Sequence, residues 1–420
     1  MKLEQAHIDH IRTAFEKMQS RLDLLNVLNE AKPMVYGDKA VPFELNQLTL
    51  YANPKLGQKR YSEFKIKKKS GAERSIHAPV KGLKSLQKTL SFVLQCVYEP
   101  HHAAMGFVRD RSIVDNARLH VGSMYVYNID LKDFFPSIDQ ARVWKCFQLK
   151  PFNLFGEITN QPSFDSGWLS IKRVGRKDIA NILASLCCNE MEVERKNETG
   201  EWEKVKRNVL PQGAPTSPVI TNIVCRRLDY LLSATAKRFG LKYSRYADDI
   251  TFSSMHNVYQ PESEFLKELH RIIAEQNFHI KESKTRLQKD GYRKEVTGLL
   301  VNEKVNVQER YIKQLRMWLY YWERYGYERA SGFFLQQYIA DKGHVKNGKP
   351  DMANVISGKL DYLKMVKGVE NELYLKLRRR FEKLCEINLN IIESRYKYLN
   401  LILNIAINKG LDEAMKVFKY

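Results

Sequence analysis

The chain has 420 residues, 44% hydrophobic and 28% charged, a globular balance that excludes wholesale disorder and a fibrous repeat. Lys and Arg number 69 against 48 Asp and Glu, a formal charge of +21, which favours a polyanionic partner, nucleic acid first, over a neutral small molecule alone. Six cysteines form no CxxC pair and read as reduced core thiols of a cytosolic, cytoplasmic protein. The charged opening MKLEQAHIDHIRTAFEKM lacks the apolar core of a signal peptide, and no apolar run is long enough for a membrane span.

In chain order, Ile8, Ile11, Phe15, Met18, Leu22, Leu25 and Leu28 step by three and four along one helical face, and Pro33, Gly37 and Pro42 end that region. From 54 to 90, eleven Lys and Arg face two Glu, enough to track a phosphate backbone. Within it, YSEFKIKKKSGAERSIHAP alternates on both sides of Ser70-Gly71, two strands around a turn. MYVYNID reads as a strand ending on Asp130, and MEVERKNETGEWEKVKRNV as a hairpin with Asn197 to Gly200 as its loop. Ser217 as N-cap and Pro218 at the first helical position open a helix marked by Ile220, Ile223, Val224, Leu228 and Leu231. LKYSRY and ITFSS flank Ala247-Asp248-Asp249 as a hairpin with an acidic tip, and VTGLLVNEKVNV reads as one more. Beyond about 308 the pattern is helical, with 20 Lys and Arg against 12 Asp and Glu from 311 to 420. The whole is α+β with helical ends.

Asp130, Asp248 and Asp249 stand where strands end or turn. Carboxylates gathered without a cation repel, so such a set makes sense where divalent ions bind. Two Mg²⁺ ions about 4 Å apart can activate a hydroxyl and stabilise the leaving group of an in-line phosphoryl transfer. Taken alone, Asp-Asp is also ordinary turn chemistry.

The surrounding motifs decide between these. NIDLKDFFPSI, LPQGAPTSP at 210–218 and YADD at 246–249, in that order, resemble three core motifs of reverse transcriptases. KKKSGAERSIHAP, GFVRDRS at 106–112, HIKESKT at 279–285 and VTGLLVN at 296–302 extend the match over roughly residues 60 to 305. NARLH at 116–120 and VTG at 296–298 resemble signatures of the bacterial retron-type enzymes.

The resemblance implies a right-hand polymerase: a helical N-terminal segment (1–53), fingers (54–121), palm (122–149), a fingers insertion (150–206), the second part of the palm (207–307) and a helical thumb or RNA-binding region (308–420). It implies that Asp130 and Asp248 hold two Mg²⁺ ions, with Asp249 as third carboxylate and the Leu131 carbonyl as a further ligand. Arg74 and a lysine among Lys67 to Lys69 (Lys67 or Lys69) would hold the triphosphate of a dNTP, with Gln212 and Gly213 lining the base-pair pocket. Phe135 would lie under the sugar and reject a ribose, a place that family spacing gives to it rather than to Phe134. Lys284 would donate a proton to pyrophosphate, Tyr246 would touch nucleic acid, and Gly298 belongs to a primer grip. Asn116 and His120 read as structural. The aromatic run 318–334 reads as core with base stacking as the rival, and Arg378, Arg379 and Arg380 as either a solvated helix face or an RNA-binding patch.

The implied partners are a structured noncoding RNA template, its RNA/DNA hybrid and dNTPs, with an effector protein or a second copy of the chain beside them and antiphage defence as the setting. Asp110 stands where the family commonly has Gly. A group II intron-type maturase and a non-catalytic RNA-binding scaffold are the rival readings.

Overall fold

The computed structural model describes residues 5–53, 59–67, 73–156, 159–165, 168–174, 176–342 and 350–409. It divides into two units, one of residues 1–297 and 301–303, the other of residues 298–300 and 304–420.

In the first unit the opening amphipathic region is two helices, α1 (Gln5–Lys17) and α2 (Arg21–Tyr36). The break falls at Ser20, whose hydroxyl accepts from the Asp23 amide while Asp23 accepts from the Ser20 amide, a capping box that starts a new helix. Pro33 lies inside α2 instead of ending it, and Gly37, at φ 85°, makes the stop by donating to the Pro33 carbonyl. After α3 (Leu45–Ala52), strands β1 (Tyr61–Lys67) and β2 (Glu73–Pro79) pair antiparallel as expected. The Ser70-Gly71 turn and Lys69 lie outside the described residues.

Helices α4 (Lys81–Val97) and α5 (Ile113–Arg118) lead to β3 (Tyr125–Asp130), and α6 (Gln140–Gln148) follows. Residues 150–206 hold the antiparallel pair β4 (Thr159–Asp165) and β5 (Trp168–Val174), then α7 (Arg176–Cys187) and β6 (Asn189–Lys196), which pairs with β7 (Trp202–Val209). The helix expected after Ser217 is two, α8 (Ser217–Val224) and α9 (Arg226–Arg238), divided at Cys225, and Thr216 rather than Ser217 is the N-cap residue.

β8 (Lys242–Tyr246) and β9 (Asp249–Ser254) form the acidic-tipped hairpin; α10 (Glu264–Glu275) and β10 (Arg286–Lys289) follow. The four strands order as β10-β3-β9-β8, all antiparallel. β3 is central and buried along most of its length, which its Val126, Tyr127 and Ile129 fit. Phe252 and Phe265 pack edge-to-face behind the sheet, with centroids 5.1 Å apart. The six cysteines are free thiols.

In the second unit Leu300 and Asn306 exchange backbone hydrogen bonds of 2.8 and 3.1 Å. Three helices follow, α11 (Glu309–Lys342), bent at Gly326 with φ 76°, α12 (Met352–Lys367) and α13 (Glu372–Lys409). Trp318, Leu319, Trp322, Phe334, Leu360 and Leu377 form their core, so part of the aromatic run is packing. The other part is not: Tyr320, Tyr325 and Phe333 are about half exposed, and Tyr321 stacks on Tyr325 and Phe333. No described helix is long and apolar enough to cross a membrane.

Candidate active site

Register brings the acidic residues together. Asp130, last in β3, lies opposite Asp249, first in β9, and the Leu131 amide donates to the Asp248 carbonyl at 3.1 Å. The β8–β9 turn is tight, and Ala247 takes φ 57° within it. Gly106 makes room there, because a Cβ at that position would stand 2.6 Å from the Ala247 nitrogen.

The three carboxylates differ in exposure, with Asp248 half-buried and Asp249 exposed at the start of β9. Asp130 is 7% exposed. Burial raises the Asp248 carboxyl above its usual range, and the Asp130 charge adds to it. Asp249 reaches solvent, yet desolvation of its carboxyl within the cleft, then the charges of Asp248 and Asp130, push it up to about 6. Lys284, on the turn before β10, places its Nζ 2.7 Å from Asp130 Oδ1 and partly offsets this repulsion.

An open cleft of about 820 Å³ contains these groups together with Arg74, Gln212, Tyr246, Leu131 and Phe135. Of the adjacent pair, Phe134 is 3% exposed and packs on Phe278, while Phe135 is half-buried with its ring 6.2 Å from Phe107. Gly213 does not line this cleft. It has φ +124°, and a Cβ there would meet the His77 carbonyl of β2 at 2.7 Å, so glycine lets the 210–218 loop dock on that strand, where the His77 amide donates to the Gln212 carbonyl. Only the backbone of Lys67 is described. Gly298 and Arg378–Arg380 belong to the second unit. There Arg378 pairs with Glu382 at 2.8 Å and Arg380 holds both oxygens of Glu323 at 2.8 and 2.6 Å, while Arg379 is exposed.

Behind the acidic turn lies a polar network that sequence reasoning missed. Arg245, in β8 beside the YADD tip, is 0% exposed and forks onto Asp229 of α9, Nε–Oδ1 at 2.8 Å and Nη2–Oδ2 at 2.6 Å. Its remaining donors reach the Ala247 carbonyl at 3.2 Å and Asn222 Oδ1 at 3.1 Å, and Asn222 in turn donates to the Gly106 carbonyl. His120, fully buried, joins Ser244 of β8 and Ser253 of β9, each at 2.7 Å. His120 is structural, as its motif suggested.

Among the described residues no three His, Cys, Asp or Glu groups stand close enough together to hold a metal ion. The donor chemistry nevertheless fits a hard divalent cation: three carboxylates on adjoining strand ends, two of them raised by burial and mutual repulsion, beside the Leu131 backbone.

Comparison with known proteins agrees with this arrangement. A family model described as "Reverse transcriptase (RNA-dependent DNA polymerase)" matches residues 66–299. The chain is 36% identical over 255 residues to the retron Mx162 reverse transcriptase of Myxococcus xanthus, covering 58% of this chain and 47% of that protein. It is 33% identical to the retron Mx65 reverse transcriptase of the same organism, covering 64% of this chain and 57% of the relative. To the retron Ec86 reverse transcriptase of Escherichia coli it is 31% identical, covering 61% and 68%. The chain thus spans about half the length of the two Myxococcus relatives. It belongs to the reverse transcriptase family, and within that family to the retron type.

Proposed function

We propose that the chain is an RNA-directed DNA polymerase that extends a primer with dNTPs along an RNA template. The observation that carries this reading is the meeting of Asp130, Asp248 and Asp249 at one end of the β10-β3-β9-β8 sheet, in a cleft that also holds Arg74, Lys284 and Phe135. Asp130, Asp248 and Asp249, with the Leu131 carbonyl, are the groups that would hold two Mg²⁺ ions, which when bound supply Lewis-acid stabilisation of phosphoryl transfer. Arg74 neutralises triphosphate charge from the β2 side of the cleft. Gln212 borders the nascent base pair. Lys284, an ion-pair partner of Asp130 in the same cleft, would deliver a proton to departing pyrophosphate. Phe135 presents a ring at the sugar position and excludes a 2′-hydroxyl by contact.

The template in this reading is a structured RNA, read through loops and unpaired bases because the A-form major groove is closed to side chains. We further propose, from the resemblance of the sequence motifs to retron-type enzymes, that this RNA is a noncoding transcript encoded near the gene and that the setting is antiphage defence. Incorporation of labelled dTTP on poly(rA)/oligo(dT) with Mg²⁺, abolished by a chelator, is the expected result. Absence of incorporation alongside intact RNA binding would make the chain a scaffold on a polymerase fold.

A further inference from the structure

The chain after Asp130 turns back on itself before α6, and most of that turn is tied internally. Ser137 N donates to the Asp133 carbonyl at 2.8 Å, Ser137 Oγ to the Phe134 carbonyl at 2.8 Å and Ile138 N to the Phe135 carbonyl at 3.1 Å. Asp133 is held at φ 44°, an uncommon conformation for a residue with a side chain, so the turn depends on its ties. The Pro136 carbonyl, next after Phe135, is held differently. Its donor is Arg195 of β6, which is more than fifty positions away in sequence.

Arg195 Nη2 stands 2.7 Å from the Pro136 carbonyl and 2.7 Å from Asp139 Oδ1, so one nitrogen bridges the end of the turn and the residue that opens α6. Its side chain is only 23% exposed. The preceding residue, Glu194, accepts from Lys132 Nζ at 2.7 Å, and Lys132 also lies 3.4 Å from the Trp202 ring centroid in β7. The β6–β7 hairpin therefore grips the chain on both sides of Phe135, at Lys132 before it and at Pro136 and Asp139 after it. Both Glu194 and Arg195 line the same cleft as Phe135.

We infer that Arg195 is a positioning residue for sugar selection: by fixing the Pro136 carbonyl and Asp139, it holds the Phe135 ring where a ribose 2′-hydroxyl would clash. This rests on the reading of Phe135 as the sugar gate. A steric filter works only while its wall stays in place, and a side chain that sits ångströms off loses discrimination before it loses catalysis. Arg suits the task because, while Nη2 makes the contacts to Pro136 and Asp139, Nη1 of the same rigid plane donates to the Glu194 carbonyl at 3.1 Å and fixes the direction of the group, which a lysine does less well.

The test is a double-mutant cycle read on the ratio of kcat/KM for a dNTP to that for the matching rNTP, measured on one RNA template with wild type, Arg195→Ala, Phe135→Ala and the double variant. Arg195→Ala is expected to lower the ratio on the order of tenfold, chiefly by improving rNTP use. It should add little further loss in the Phe135→Ala background, since both changes remove one filter. Arg195→Lys, which keeps the charge and a single donating nitrogen, should fall between wild type and Arg195→Ala, and supplies the comparison if the alanine variant unfolds at the assay temperature. If Phe135→Ala lowers the ratio and Arg195→Ala leaves it unchanged, or if the two losses multiply, the inference about Arg195 is overturned while the gate stands. If Phe135→Ala itself leaves the ratio unchanged, the gate reading fails first and takes the inference with it.

Discussion

Asp229→Asn removes one charge beneath the acidic turn and strands another. Asp229 accepts from Arg245 Nε, Arg245 Nη2 and the Tyr243 hydroxyl at 2.8, 2.6 and 2.7 Å, with both ionic side chains 0% exposed. The amide keeps at most one good acceptor and leaves the guanidinium buried without a counter-charge. Breaking a buried pair from one side costs roughly 3 to 5 kcal/mol, which chemical denaturation monitored by circular dichroism would register as a lowered midpoint. Replacing both partners at once, Asp229→Leu with Arg245→Met, removes the stranded charge and should recover much of that loss. Activity should not recover with it. The Ala247 carbonyl and Asn222 Oδ1 lose their Arg245 donor in the apolar pair, so the turn carrying Asp248 loosens and kcat falls while the fold persists. A loss under about 1 kcal/mol for Asp229→Asn, well short of the buried-pair range, would refute the energetic reasoning, and a fully active apolar pair would refute the positioning role.

His120 gives a pH dependence. Burial, helped by the Lys242 charge, lowers it to about 3, so the native state holds it neutral while the unfolded chain takes up a proton below about 6.5. The resulting stability is complete above pH 6.5 and declines by about 1.4 kcal/mol per pH unit as pH falls toward 3; unfolding at pH 7 and pH 5 should show a steeper loss in wild type than in His120→Gln. Gly213→Ala should cut incorporation severely through its clash with the His77 carbonyl and its strained φ, with dNTP KM rising as the Gln212 loop lifts from β2. In the second unit, Arg379→Ala should weaken RNA binding and reduce its salt slope by about 0.7, whereas Arg380→Ala should cost about 1 kcal/mol or less of helical stability through loss of the Glu323 pair. Equal effects of the two on RNA binding, by filter retention across salt concentrations, would contradict that division.

Much of the first unit was legible because its signals are local. Alternation in MYVYNID and in LKYSRY with ITFSS located β3, β8 and β9, and the acidic residues at their ends followed from those strands. The β6–β7 hairpin was equally plain from alternating charge around Asn197 to Gly200. What stayed hidden depends on partners distant in sequence or on competition between local rules. Nothing in LKYSRY marks Arg245 as buried, because its partner Asp229 comes from α9. Arg195 reads as one of many surface cations until the hairpin folds over Pro136. Pro33 reads as a stop, yet α2 continues through it to a glycine cap. Arg378 to Arg380 read as either a solvated helix face or an RNA-binding patch, and the sequence does not show that Glu382 and Glu323 pair with two of the three. Gly213 also answers to a partner that the sequence does not reveal, the β2 backbone that approaches it closely.

Nucleotide transfer at the strand-end carboxylates is the proposed chemistry. Its most direct test is single-turnover incorporation of one dNTP on an RNA template with a DNA primer, comparing wild type with Asp130→Asn and Asp248→Asn at matched fold and matched template affinity. Both variants should lose incorporation by a factor of at least about 10³, several kcal/mol of transition-state stabilisation, while thermal unfolding and RNA binding stay near those of wild type. Incorporation within tenfold of wild type by either variant, in preparations free of other polymerases, would contradict the account.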